Sequence, residues 1–417
     1  MRPIKLFKAL SIILIVLVLL VISLTQVVPS LAISSYRTLF NTLTGKGIDN
    51  PNPEQLKNLI TAEHFHVTIF AKDIPQARML KITPTGQLLV SSPNKGAIFL
   101  LDDSNHDGLT DTTTTLISGL NHPHGIDLFQ GNSLQGNNNH WLYIAETDAV
   151  GRIAMDWDTG KAIGQYQRLI TNLPSDGGHW TRTIRFGPDG WLYLTVGSSC
   201  NVCIETDQRR ATMMRFRPDG SKGHIYASGL RNTVGFDWAP WNNELYGTDN
   251  GRDLLGDNFP PCELNLIKQS GFYGWPFVNG VGVLDPDYGR KKYGQKKHGQ
   301  EQDALLNNSL SPSYGFRAHN APLGIHFLRH PTHQKHYQRA ALVALHGSWN
   351  RSSPDGYKVV TLQWDTQGNV TSNDFLSNFL QPDGHIIGRP VDIEEGIDGS
   401  IYISDDYAGV IYRVVYK

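Results

Sequence analysis

The sequence predicts an all-β fold, a six-bladed β-propeller of four-stranded antiparallel sheets, and three observations lead there. Turns rich in Gly, Pro and Asp are each followed by an alternating apolar strand, as at Thr83-Pro84-Thr85-Gly86, Gly187-Pro188-Asp189-Gly190, Ala239-Pro240-Trp241-Asn242 and Ile397-Asp398-Gly399. Helical periodicity is clear only over residues 53–62. About 355 residues follow, and at roughly 55 to 60 per blade they make about six blades. The units are unevenly spaced, so an array of β-sandwiches remains the alternative.

The elements follow in chain order. Arg2, Lys5 and Lys8 precede an apolar run from Ala9 to Leu24, and Ser30 and Ala32 stand as in a signal-peptidase site. Residues 1–32 are therefore a signal peptide or, uncleaved, a membrane anchor, since the run is nearly long enough for ~30 Å of hydrocarbon. Either reading puts the rest of the chain outside the cytoplasm, periplasmic or secreted. Residues 33–60 read as a linker with a short helix, and 61–417 as the propeller. The last strand, Gly409 to Tyr416, is expected to close the ring against Val67-Thr68-Ile69-Phe70, removing both free edges.

Within the propeller, Asp103-Ser104-Asn105-His106-Asp107-Gly108 has the oxygen spacing of a calcium loop, but Thr114 stands where a bidentate glutamate belongs. It is either a structural calcium loop or a metal-free acidic turn. His122 and His124 read as turn histidines. Gly177-Gly178-His179 opens a strand, and its two glycines let the backbone turn tightly and present the imidazole. Cys200, Cys203 and Cys262 are the three cysteines. One disulfide is expected, joining Cys262 to one of the pair across neighbouring loops. Without a following histidine the Cys-x-x-Cys is no haem site, so any cytochrome partner is a separate protein. The stretch from Gly289 to Gln302 reads as a solvated excursion.

Charged residues are 18% and the net charge is -1, which gives no basic face for nucleic acid. Membrane contact is expected only through the N-terminal segment. Polar clusters recur at strand ends: Gly229-Leu230-Arg231-Asn232, Asp249-Asn250-Gly251-Arg252-Asp253, His346-Gly347-Ser348-Trp349-Asn350-Arg351 and Gly388-Arg389-Pro390. Arg231, Arg351 and Arg389 offer three guanidinium groups to one polyanionic ligand.

These motifs, with Gly197-Ser198-Ser199-Cys200-Asn201-Val202-Cys203, resemble the soluble quinoprotein glucose and sorbosone dehydrogenases over residues 60–417, closest to the sorbosone-type branch. The resemblance implies a propeller that binds pyrroloquinoline quinone (PQQ) and calcium and oxidises a sugar or sugar-derived aldehyde. It implies His179 as general base and Arg231 as the charge beside cofactor and substrate. Asn232, Asn350, Arg351 and Arg389 would hold the cofactor, and the carbonyls of Gly251 and Arg252 the calcium. A separate acceptor, such as a cytochrome or a quinone, would take the electrons.

Two departures bear on the substrate. Ser198 stands where the glucose-oxidising members carry the aspartate that supports the histidine, and Val391 where they carry a second arginine. Glucose is thus disfavoured against a sorbosone-like osone or another aldose. A non-catalytic binding propeller and a calcium-dependent lactonase are the other classes.

Overall fold

The computed structural model describes residues 15, 16, 19, 20 and 23 and residues 57–417 except 131–139, 290–305, 307 and 335. Six antiparallel sheets follow one another around a central channel. Blade one runs from Leu80–Ile82 through Leu88–Ser92 and Ala97–Asp102 to Thr112–Ile117. Blade two spans Ile126–Gln130 to Lys161–Ile170, and blade three Ile184–Phe186 to His224–Ser228. Blade four takes Thr233–Trp238, Leu245–Asp249, Cys262–Leu266 and Tyr314–Phe316, and blade five Pro322–Phe327 to Val370–Ser377. Blade six is Pro390–Glu395, Ile401–Asp405 and Val410–Tyr416, completed from the other end of the domain by Phe65–Ala71.

That last pairing is the predicted closure: Val67 lies opposite Val414 and Ile69 opposite Tyr412. The first strands line the channel and touch from blade to blade, except that blade three meets Thr233–Trp238 of blade four through its second strand, Leu192–Val196. Between blades lie apolar clusters, such as Leu89 and Ile98 with Leu142 and Ile153 for blades one and two. Blades four and five share Tyr246, Leu264, Val343 and Leu362 in the same way. Because both faces of a blade are covered, second strands such as Leu192–Val196 and Ala340–Leu345 are buried at every residue, and that of blade two, His140–Ala145, at all but its first two. Exposure returns towards the rim, as in Val370–Ser377.

Two expectations change. Over residues 57–62 there is no helix, and Ile60–Thr61 instead forms an edge strand on blade five, pairing with Ser377 and Leu376 while Leu59 enters the core. Backbone pairing with an available edge outweighs the local periodicity there. The disulfide joins Cys200 to Cys203. Cys262 is a free thiol inside the core of blades four and five, where burial pushes its pKa up to about 11. It faces apolar side chains rather than the loop that carries the other two. In the 103–111 loop, Asp111 Oδ2 accepts from the backbone N–H of Ser104 and Asn105, and Asp103 from those of Asp107 and Gly108, bonds that suit a calcium loop and an acidic turn equally. The signal or anchor segment, the 33–56 linker and most of the 289–302 excursion lie outside the described residues; among those described, no helix is long and apolar enough to cross a membrane.

Antiparallel order decides where the site can be. In every blade the chain enters the first strand at the end where it leaves the second. The loops 171–183, 229–232, 250–261, 346–357 and 378–389 therefore open on one mouth of the channel, and they carry all eight residues predicted for the site.

Candidate active site

His179 is held by what its neighbours lack. Gly177 has φ 88°, and a Cβ there would lie 2.3 Å from the Ser199 carbonyl oxygen. The missing side chain lets the Gly178 N–H reach that oxygen at 2.9 Å and sets the next residue over Ser198. His179 Nδ1 is 2.8 Å from the Ser198 carbonyl oxygen and 2.9 Å from Ser198 Oγ. Ser198 Oγ donates its own proton to the Cys200 carbonyl, so both oxygens accept and Nδ1 must carry hydrogen. Nε2 then keeps its lone pair, and among the described residues it makes no hydrogen bond. Burial and the nearby Arg231 guanidinium lower the imidazole pKa to about 3, against the opposing pull of the Ser198 carbonyl and the Asp253 carboxylate. The ring is neutral at ordinary pH.

Gly197 lets a second predicted residue approach: a Cβ on it would stand 2.7 Å from both Asn232 Oδ1 and His179 Cβ. The Asn232 side-chain amide makes no hydrogen bond among the described residues, while its backbone N–H is held by Asp249 Oδ1 at 2.7 Å. Asp249 also accepts from the Arg231 N–H and Thr233 Oγ1, and burial raises its pKa to about 6.

Arg231 is buried and its donors are already used. Nε and Nη2 reach the carbonyl and side-chain oxygens of Asn201, each at 2.9 Å, Nη1 the Asn250 carbonyl at 2.9 Å, and Nη2 also Asp253 Oδ2 at 3.3 Å. It acts on the site as a positive field rather than as a free donor.

The Asp249–Asp253 loop presents the predicted calcium ligands. Among the described residues no hydrogen bond engages the carbonyl oxygens of Gly251 or Arg252. The Arg252 side chain turns away to Asp285, with Nη1 at 2.8 and 2.7 Å from its two oxygens, which anchors the loop from behind. Two uncommitted carbonyls beside a carboxylate suit a hard cation.

The remaining predicted residues divide. Arg389 lies on the same mouth, its Nε and Nη2 bonded to the carbonyls of His346 and Gly347. Asn350 is buried and its Oδ1 accepts the Leu254 N–H at 2.8 Å, tying the blade-five loop to the calcium-candidate loop. Arg351 is spent on the backbone carbonyls of Ser353, Asp257 and Ala318, so it braces loops and is not aimed at the cleft.

Several residues at this mouth were not singled out from the sequence. Asn201, held between the paired cysteines, takes Arg231 and the Asp253 N–H on one side-chain oxygen. Asp253 lies between Arg231 and His319 Nδ1, at 3.3 and 3.5 Å, and the hydrogen bond from His319 and the charge of Arg231 hold its pKa down against burial. Across the mouth, His346 Nε2 meets Asp406 Oδ1 and Arg78 Nη1 meets Asp406 Oδ2, both at 2.8 Å. Arg78 Nη2 in turn touches His124 Nε2 at 3.2 Å, which places His124 on this face. Arg78 comes from blade one and brings a cation to a mouth where Val391 left one missing. The only signal for Asp253 was its place in a polar loop; the rest depend on contacts between blades.

A family model described as TrAA12-like matches residues 59–417. An uncharacterised protein of Borreliella burgdorferi is 34% identical over 85% of this chain and 89% of its own length. The PQQ-dependent pyranose dehydrogenase of Coprinopsis cinerea is 26% identical over 87% of this chain, which spans 55% of that longer protein. Among solved structures, the holo PQQ domain of that pyranose dehydrogenase superposes with TM-score 0.68 at 22% identity, over 85% of this chain and 96% of the domain. The apo aldose sugar dehydrogenase of Escherichia coli gives 0.62 at 16% identity, over 85% of this chain and all of the other. At these identities the structures speak for the fold. The match over residues 59–417 and the spirochaetal relative together decide the family: this chain belongs to the TrAA12-like family.

Proposed function

We propose that the protein is a PQQ-dependent oxidoreductase that oxidises a sugar at the mouth where His179, Arg231 and Asn232 meet. The observation that carries this is the state of His179: its Nδ1–H is committed to Ser198 and its Nε2 lone pair is bare, beside a fixed cation. Support comes from the PQQ-dependent relatives. The residues also fit the cofactor: Arg231 and Arg389 offer positive charge to its carboxylates, and Asn232 an uncommitted amide.

Bound there, PQQ would supply the two-electron acceptor for a hydride from the substrate's C–H, and calcium on the Gly251 and Arg252 carbonyls would polarise its quinone oxygen. The chain's own part is to place and charge the site. His179 Nε2 takes the proton of the hydroxyl on the carbon being oxidised, while Ser198 keeps the ring oriented. Arg231 holds positive charge where negative charge develops, and its dense bonding means that it does not reorganise to do so. A pKa of about 3 is low for a general base; burial is its larger cause, and a polyanionic ligand beside Arg231 offsets the part that the guanidinium contributes. Ser198 supplies no counter-charge to imidazolium; Asp253, from blade four, does so at longer range. The substrate is an aldose, pyranose or osone, and the protein works outside the cytoplasm with a separate electron acceptor.

Titration of the purified chain with PQQ in calcium, followed by aldoses, pyranoses and osones, tests the reading. Binding followed by sugar-dependent loss of the quinone absorbance supports it. Absence of PQQ binding with calcium present would overturn it.

A further inference from the structure

The opposite mouth of the channel carries a constellation that the proposed chemistry does not use. Each blade contributes one ionisable residue from its first strand: Lys81, Asp127, Arg185, Asp237, His326 and Glu394. Read around the ring, basic and acidic side chains alternate, and Glu394 and Glu395 raise the pKa of His326 against the effect of burial. Adjacent blades are stitched at this level. Lys81 Nζ lies 3.1 Å from Asp127 and 3.5 Å from Glu394, and Arg185 Nη1 lies 3.4 Å from Asp237. The blade-three N–H of Phe186 donates to Asp127, and the blade-five N–H of Phe327 to Asp237.

A ring of ion pairs alone would close on itself, and this one does not. It borders a cavity of about 520 Å³ open at this mouth. Three residues that line the cavity also carry side-chain atoms buried behind its wall without a hydrogen bond: Glu394 Oε2, Glu395 Oε1, whose nearest partner is His333 Nε2 at 3.6 Å, and both ring nitrogens of His326. The nearest pairs of His326, at 3.5 Å to Glu394 and 3.8 Å to Glu395, are too long to satisfy them. Buried polar atoms are rarely left so.

The chemistry of the lining selects the class of ligand. With Arg329 and Glu395 added, four basic groups face four carboxylates, so a charged ligand of either sign meets as much repulsion as attraction. A neutral molecule with many hydroxyls meets none, because a hydroxyl can donate to a carboxylate and accept from Lys81, while Arg329 is held by Asp237 and the carbonyls of Phe327 and Trp238. Phe186, Pro188, Trp238 and Pro240 supply the apolar wall that ring C–H groups pack against. The volume lies within the ~300–1,000 Å³ of small-molecule sites. We infer that this mouth is a second binding site, distinct from the PQQ mouth, for a neutral saccharide of one or two rings.

The inference stands independently of the oxidation chemistry and is tested without PQQ. Calorimetric titration of the full chain with cellobiose and with maltose is expected to show binding of at least one, with Kd on the order of 1 mM. Glu394→Gln should weaken it at least tenfold, and His179→Gln, at the other mouth, should leave it unchanged. Because Glu394→Gln touches a buried network, Lys81→Met is the companion variant, and hydrogen exchange on the wild-type chain is the second measurement. Saccharide should slow exchange in 233–238 and 390–395 and not in 177–183. Absence of binding at 50-fold above ~1 mM, unchanged affinity in both ring variants, or protection confined to 177–183 would each overturn the assignment.

Discussion

Replacing His179 by glutamine should make the protein relatively more stable as the pH falls, by an amount set by the field at its site. The folded-state pKa is about 3 against an ordinary 6.5, so between these values the unfolded chain binds a proton that the folded one refuses. A depressed histidine therefore contributes stability that is intact above pH 6.5 and is lost as pH falls towards 3. From pH 7 to pH 5 the loss is about 2 kcal/mol, and about 1 once allowance is made for the part of the ring that water reaches. A glutamine in its place has no proton to refuse. The assay is urea unfolding of wild type and variant at both pH values, taking the difference of differences. This cancels what other groups contribute, including Asp405 and Glu263, whose raised values of about 7 and 8 act in the opposite sense. The expected result is a variant whose stability relative to wild type improves by about 1 to 2 kcal/mol on acidification. An unchanged difference would mean that His179 titrates normally in the fold, refuting the placement of Arg231 as its controlling charge.

Asn232→Ala should leave the urea midpoint nearly unchanged, since the amide holds nothing in the protein, yet weaken PQQ binding by about tenfold, a hydrogen bond's worth, in a fluorescence titration. Cys200→Ser with Cys203→Ser should lower stability by about 2 kcal/mol or less because the closed loop is short. Sugar turnover should nonetheless fall several-fold as Asn201 loses its grip on Arg231; dithiothreitol on the wild type should reproduce both effects. Asp285→Asn strips Arg252 of its buried partner and should cost about 3 kcal/mol by chemical denaturation, together with weaker calcium binding, since that pair anchors the loop of Gly251 and Arg252.

The fold was legible because propeller turns are local: Gly187-Pro188-Asp189-Gly190 makes the same hairpin wherever its blade stands. What periodicity misjudged was burial. Leu192–Val196 looked like a half-exposed strand and is sealed by blades on both sides, which no window of one strand can reveal. Over 57–62 the expected helix is absent for a related reason, since Ile60–Thr61 takes its structure from Leu376 and Ser377, more than 300 residues away. At the site, His179, Arg231, Asn232, Gly251 and Arg252 sit in short motifs and were found. Asn201, His319 and Arg78 act across blade boundaries, where sequence distance says nothing. Cys262 misled because counting cysteines ignores which way a strand turns its side chains.

The closing pair of strands also sets a timetable. Phe65–Ala71 is made near the start of the propeller, and its ladder partner Val410–Tyr416 is the last of the propeller's strands to be made. About 340 residues separate them, which at translation speeds of ~5–20 residues per second is on the order of half a minute. Until then the early strand has no mate and the ring is an open arc with an unpaired edge at both ends. A chain that stops short of residue 410 never escapes that condition, however well its other blades have packed. The seven residues of that strand thus admit to the closed ring only molecules synthesised at least that far.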